Sequence, residues 1–297
     1  MATNTVVGSV AGIRMFPVKS MRGEQLEQGE FTERGLVGDR AYALIDTDTG
    51  KVASAKSVRL FPGLFGCSAV YVEPPQSAGE LPPVRITLPN GTSVTSDSSD
   101  VDAILSAHFH RDVTLAQAAP DNFTIDQYHP DVEDADPAGH REAVVEQKLG
   151  SAFFAQAGLP SPVPVGSFFD LYPVSVLTTS TLDQLSKLEP GSSFDERRFR
   201  MNVIIDTKEA GFVENNWIDR ELAIGNEIRL KVAQPDPRCV MTTLAQDELP
   251  RDTEVLRALV RHNRIQVSDA GLFPCVGVYA VVQASGTLRT GDSVSLS

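Results

Sequence analysis

The chain has 297 residues, 41% of them apolar and 22% charged, and a formal charge of -13 at neutral pH. That length exceeds one ordinary hydrophobic core and implies two modest domains or one elaborate β-rich domain, while the composition is that of a folded chain throughout. The acidic balance, with a pI of about 4.8, excludes general attraction to nucleic acid or anionic membranes, so any anion site must be a local concentration of positive charge.

The opening MATNTVVGSVAGIRMFPVKS has no basic segment followed by a long apolar one, and no later run is long enough to span a bilayer. A soluble, cytoplasmic protein with no membrane partner is expected. Short extended runs with turn punctuation follow. SVAGIRMFPV leads to RAYALIDTDTGKVAS, with a turn at Asp48-Thr49-Gly50, and to VRITLPNGTSVTSD, with a turn at Asn90-Gly91; both corners suit antiparallel hairpins. Asp100 stands where it can cap a helix carrying Val101, Ile104, Leu105 and His108 on one face, and DVTLAQA then reads as a strand.

Residues 118–145 change character. Pro, Asp and His replace sustained periodicity in APDNFTIDQYHPDVEDADPAGHREAV, as in a long connector or a lid. Beyond it, YPVSVLTTSTLDQLSKL predicts a strand and a helix capped near Ser180; RFRMNVIID and LAIGNEIRLKVAQ read as strands, Thr253 to His262 as a helix, and GVYAVVQASGTLRTGDSVSL as further strands. The expected fold is mainly β with a few helices (α+β). It comprises a β-rich unit with a helix over 1–117, a linker or lid loop over 118–145 and a second, mainly antiparallel β unit over 146–297.

Cys67, Cys239 and Cys275 are the only cysteines, too few for a disulfide framework, a self-contained iron-sulfur cluster or a four-thiolate zinc site. Cys67 and Cys275 lie in apolar strand-like runs and are expected to pack. Cys239 instead follows Pro235, Pro237 and Arg238, and a neighbouring guanidinium favours the thiolate that binds soft metals or attacks electrophiles. An isolated cysteine is nevertheless more often a small buried hydrophobe. His108 and His110 would point to one side only on a strand and lack further ligands, and His129 and His140 fall in the expected connector, where exposure is the simpler account. Phosphate-loop, dinucleotide and nucleophile-elbow motifs are absent from the sequence.

VKS at 18–20, GDR at 38–40, FRMN at 199–202, WIDRELAIG at 217–225, PRCVMTT at 237–243 and the closing GTLRTGD resemble, in that order, the MOSC family. More closely, they resemble the MOSC proteins with an N-terminal β-barrel domain, whose relatives include the mitochondrial amidoxime-reducing component. The resemblance implies a β-barrel-like N-terminal domain over 1–117 followed by a MOSC β-barrel domain over 146–297, and a molybdenum cofactor (Mo-molybdopterin) with Cys239 as metal ligand and catalytic centre. It implies cofactor contacts from Lys19 and Ser20 of the VKS pair, Arg40 of the DR pair, Arg200 and Asn202 of the FRxN signature, and Asp170, Leu171 and Tyr172, with Pro237 and Arg238 beside the ligand. Pyridoxal phosphate binding is a weaker association of the same family.

The implied activity is that of an oxidoreductase reducing N-hydroxylated compounds, such as amidoximes and hydroxylamines, at molybdenum. The alternative is a carrier of the cofactor or of sulfur without its own turnover. A metal-free thiol enzyme ranks third and would require a histidine close to Cys239. With so few cysteines the reductant must be external, a flavoprotein, haem protein or ferredoxin, and an acidic surface favours a donor presenting basic residues. Two departures stand out. Pro237 replaces a small polar residue of the relatives and offers no N–H, and LAQDELPRD after the cysteine replaces an acidic, glycine-containing stretch, so substrate access is the least transferable feature.

Overall fold

A computed structural model describes residues 5–297. The first half contains strands β1 (Thr5–Met15), β2 (Glu24–Leu26), β3 (Gln28–Thr32), β4 (Gly35–Leu36), β5 (Tyr42–Asp46), β6 (Ser68–Tyr71), β7 (Val84–Thr87) and β8 (Ser93–Thr95), then helix α1 (Val101–Phe109) and β9 (Val113–Gln117). The second contains β10 (Thr124–His129), β11 (Ala143–Lys148), α2 (Ser151–Gln156), β12 (Val174–Thr178), α3 (Thr179–Leu188), β13 (Val203–Thr207), β14 (Glu221–Ile224) and β15 (Ile228–Pro237). Helix α4 (Glu254–His262) and strands β16 (Arg264–Gln266), β17 (Leu272–Ala284), β18 (Gly286–Arg289) and β19 (Ser293–Leu296) complete it.

The fold is mainly β, and its centre is a closed barrel in the order β12-β13-β1-β19-β14-β15-β17, sealed by pairing of β17 back to β12. Closure removes the free edges that would otherwise need protection. Strand β15 shows how the sequence specifies its face: Ile228, Leu230 and Val232 point inward and are fully buried, while Arg229 and Lys231 alternate outward. Gly277 of β17 has φ 75, and a Cβ there would sit 2.5 Å from both the Val176 carbonyl oxygen and Met201 Cε, so glycine lets three segments close together.

Strands pair across the expected boundary between the units 1–117 and 146–297. Strand β1, assigned to the unit 1–117, lies inside the barrel between β13 and β19, and β18 pairs with β3 of the first half. The halves exchange strands, and one apolar core runs from Val10 and Leu105 to Val176 and Val294. The segment 118–145 is also no plain loop: β10 lies within it, and β11 begins in it and pairs back in register from Thr124↔Lys148 to His129↔Ala143.

Turn chemistry acts locally as expected. Asn90 Oδ1 accepts from Thr92 N at 2.9 Å in the β7–β8 hairpin, and the Asp46 carboxylate accepts the N–H groups of Asp48 and Thr49. The helix caps differ in detail. Asp100 precedes α1 but accepts from Ser98 Oγ rather than from a helix N–H. Helix α3 is capped by Thr178, which accepts from Thr181 N at 3.3 Å, two residues before the expected Ser180.

Candidate functional site

The barrel strands deliver their ends to a cavity of about 1440 Å³, roomy beside the roughly 300–1,000 Å³ of ordinary small-molecule sites. Cys239 lies two residues past Pro237, the last residue of β15, and the β15–β17 ladder shifts register between Pro235 and Pro237. A bulge turns the chain at its end, and the prolines suit a position where the regular ladder stops. Arg238 N then donates to Pro274 O at 2.8 Å. Cys239 is the one cysteine of the three that is not buried. Burial pushes the Cys67 thiol up to about 11, against the opposing Arg22 charge, and pushes the Cys275 thiol up as well.

Two motifs far apart in sequence form one brace beside it. Asp39, buried, accepts from Phe16 N at 2.7 Å and from Asn202 Nδ2 at 2.9 Å, and it pairs with Arg40. Arg40 Nη2 donates to the Arg200 carbonyl oxygen at 3.0 Å, and the two guanidinium groups lie over the Phe16 ring at 4.5 and 4.2 Å. Ser20, Arg40 and Arg200 all have left-handed backbones, with φ 66, 48 and 56. Each such residue costs roughly 1–3 kcal/mol and persists only where its surroundings hold it.

Asp170 is the second anchor. Lys19, whose Nζ also donates to Phe168 O at 2.8 Å, and Lys56 both pair with its carboxylate. Burial alone would raise this carboxyl, but the two ammonium charges overcome it and hold the group well below the usual carboxylate range. Lys56 is pushed the other way: burial would lower it, yet the charges of Asp170 and Cys239, which line the same cavity, raise it. The third anchor is Asp236, paired with Arg238. Burial outweighs the Arg238 charge and pushes its carboxyl up to about 6, while Asp236 Oδ1 and Arg238 Nε are buried with no partner among the described residues. Arg200 is pushed down to about 9 by burial and then by Arg40, which leaves it charged at neutral pH.

Lys19, Ser20, Arg40, Asp170, Leu171, Tyr172, Arg200, Asn202, Pro237, Arg238 and Cys239 therefore all line this one cavity. Their parts differ. Asn202 has both amide atoms engaged, Oδ1 by Ser175 and Nδ2 by Arg14 O and Asp39, so it holds the wall together rather than reaching into the space. Tyr172 stacks on Tyr279 at 5.3 Å, and Leu171 packs with Phe154 and Phe169. Lys56, Asp236 and Tyr279 also line the cavity and were not expected. Asp236 was accessible from the sequence, since on a strand it shares a face with Arg238 two positions on; Lys56 has no local signature. His108 lies in the last turn of α1 and His110 caps it with φ 52, so they do not form a strand pair.

Lys19, Lys56, Arg40, Arg200 and Arg238 line the cavity with Cys239, together with Asp170 and Asp236, and Asp39 pairs with Arg40. The rest of the lining adds Lys148 and the carboxylates Asp136, Glu146, Asp219 and Asp269, so these cations are a local cluster in a cavity of mixed charge. Residues 165–295 match the MOSC domain, and residues 7–108 match the MOSC N-terminal beta barrel domain. The chain is a MOSC protein with an N-terminal MOSC β-barrel domain. Mitochondrial amidoxime-reducing component 1 of Homo sapiens is 26% identical over 313 residues, which cover 98% of this chain and 83% of that protein. Mitochondrial amidoxime reducing component 2 of Bos taurus is 32% identical over 130 residues, covering 42% of this chain and 37% of that one. The crystal structure of the YUAD protein from Bacillus subtilis covers 100% of this chain and 98% of its own at 10% identity, with a TM-score of 0.46. In MOSC terms, the cavity lies where strands shared between the two domains end, and Cys239 falls in the stretch matched to the MOSC domain.

Proposed function

We propose that this chain is a molybdenum-dependent oxidoreductase that reduces N-hydroxylated compounds, with Cys239 as the protein's ligand to a molybdenum-pterin cofactor. The observation that carries the proposal is the gathering of Lys19, Arg40, Arg200 and Arg238 in one cavity with the least buried cysteine. The names of the amidoxime-reducing relatives support the substrate class.

The residues fit such a group. An anionic pterin phosphate needs fork-shaped donors, and the unpartnered Arg238 Nε and Asp236 Oδ1 leave hydrogen-bonding capacity beside the thiol. Arg40, Arg200 and Arg238 would hold the phosphate and pterin, with Ser20 adding a neutral contact and Cys239 binding the metal. When bound, such a cofactor supplies two-electron oxygen-atom chemistry.

The chain's own part is positioning and proton supply. Removing an N-hydroxyl oxygen as water consumes two electrons and two protons. Asp236, pushed up to about 6 by burial and opposed by Arg238, can hold a proton close to neutral pH inside the cavity. Electrons must come from an external flavoprotein, haem protein or ferredoxin.

The test is to purify the chain from a host that makes molybdopterin, measure molybdenum and pterin, and assay the reduced protein on an amidoxime and a hydroxylamine. Wild type should carry both and turn over; Cys239→Ser should keep some pterin and lose activity. Wild type without molybdenum would sink the proposal, and molybdenum without turnover would favour a cofactor carrier.

A further inference from the structure

A second ligand cluster lies on the wall of the same cavity and does not depend on the cofactor reading. We infer that His129, Asp136 and His140 form a zinc-type divalent-metal site that fastens the loop between β10 and β11 and turns an open coordination position toward the cavity. The three side chains each offer a ligand atom, all within 4.8 Å of one another. Both imidazole Nδ1 atoms address the same carboxylate oxygen: His129 Nδ1 is 3.8 Å from Asp136 Oδ2, and His140 Nδ1 contacts it directly. Tetrahedral zinc with bonds of about 2.0–2.1 Å places its ligand atoms roughly 3.3 Å apart. The set is therefore within small side-chain rotations of enclosing an ion. Two imidazoles and a carboxylate, with no thiolate, select zinc and its borderline neighbours over calcium or magnesium.

The mounts are already built. His129 ends β10, in register with Ala143 of β11. Asp136 and His140 share one turn, in which Gly139 N donates to Asp136 O at 2.9 Å and His140 N donates to Asp136 Oδ2 at 3.2 Å. The outer side of the loop is pinned to the chain around α4 and β16, by Arg264 to Asp134 at 3.3 Å and by Arg257 to the Asp131 carbonyl at 3.3 Å. His129 Nε2 lies 3.5 Å from the Gln127 side-chain amide. Turned so that its oxygen accepts from Nε2–H, that amide would leave Nδ1 with its lone pair for the metal. The neighbouring cation, Lys56, is engaged by Asp170 and does not fill the site. His129 and Asp136 line the cavity while His140 stands behind them, so the fourth position faces the space into which Cys239 opens.

The experiment uses the purified full chain, treated with chelator and then titrated calorimetrically with Zn²⁺, together with Cys239→Ser, His140→Ala and Asp136→Ala. Wild type and Cys239→Ser should each bind one equivalent and gain thermal stability with it. His140→Ala, whose side chain is 40% exposed and whose loss leaves the core intact, should weaken binding by more than the roughly 10–100-fold that follows loss of an outer hydrogen-bond partner. Co²⁺ provides a second measurement. Its visible bands should lack thiolate charge transfer and should vanish in His140→Ala. Binding unchanged in His140→Ala, absence of a one-equivalent event, or a thiolate band that disappears in Cys239→Ser would each overturn the site.

Discussion

Asp39 Oδ2 accepts a hydrogen bond from Asn202 Nδ2 at 2.9 Å, joining positions 163 residues apart. The carboxylate serves the Phe16 N–H, the Asn202 amide and the Arg40 guanidinium together, so the GDR and FRMN segments are halves of one structure. Asp39→Ala should lower stability by about 3 kcal/mol, because it strands a buried cation and two donors. Urea midpoints measure this. A loss no greater than that of exposed Asp48→Ala would show that the brace carries no weight.

Asp170→Asn should be comparably destabilising, about 3 kcal/mol, since Lys19 and Lys56 would then repel each other with no anion between them. The folded carboxyl is held below its unfolded value of roughly 3.9, so its contribution is present above that pH and declines only as pH falls further. The gap between wild type and variant in thermal midpoint should thus be constant from pH 5 to 8 and narrow below about pH 4. A gap that narrows instead toward alkaline pH would contradict the ion-pair account.

Asp236 has the opposite sign. Its carboxyl is pushed up to about 6, so the folded state holds the proton more tightly than the unfolded chain. The resulting stability is complete below about pH 4 and is lost as pH rises through 6, by up to about 3 kcal/mol. Asp236→Asn should flatten this limb between pH 4 and 6, read from urea midpoints at fixed ionic strength. An unchanged slope in the variant would assign the titration to another group.

The three thiols should separate by access. Cys67 and Cys275 are fully buried and Cys239 is not, so iodoacetamide should label one cysteine in the native protein and three in denaturant. Peptide mass mapping identifies the site. Native labelling at Cys67 or Cys275 before Cys239 would contradict the packing described here.

What could be read from the sequence was what neighbours in sequence decide. Asn90 and Asp46 make their turns with their own side chains, and alternation along β15 fixes its inward face. The position of β1 between β13 and β19 was not legible, because it depends on pairing across most of the chain. The eleven expected wall residues were accessible only through a family resemblance, since a lone thiol beside an arginine is common. Asn202 illustrates the limit of that route: the resemblance places it at the wall, while only coordinates reveal that its amide is spent on Asp39 and Ser175. The His129, Asp136 and His140 cluster has no periodic spacing. The β10–β11 register and the loop turn bring it together.

The left-handed backbones at Ser20, Arg40 and Arg200 bear on any attempt to make this protein hardier. Ser20 has one weak side-chain contact, 3.5 Å to Ser54 Oγ, so glycine there would relax the backbone and gain on the order of 1 kcal/mol. Heat selection without an activity screen would therefore begin its improvements by dismantling the cavity wall, and survivors of such a selection would be tougher and emptier.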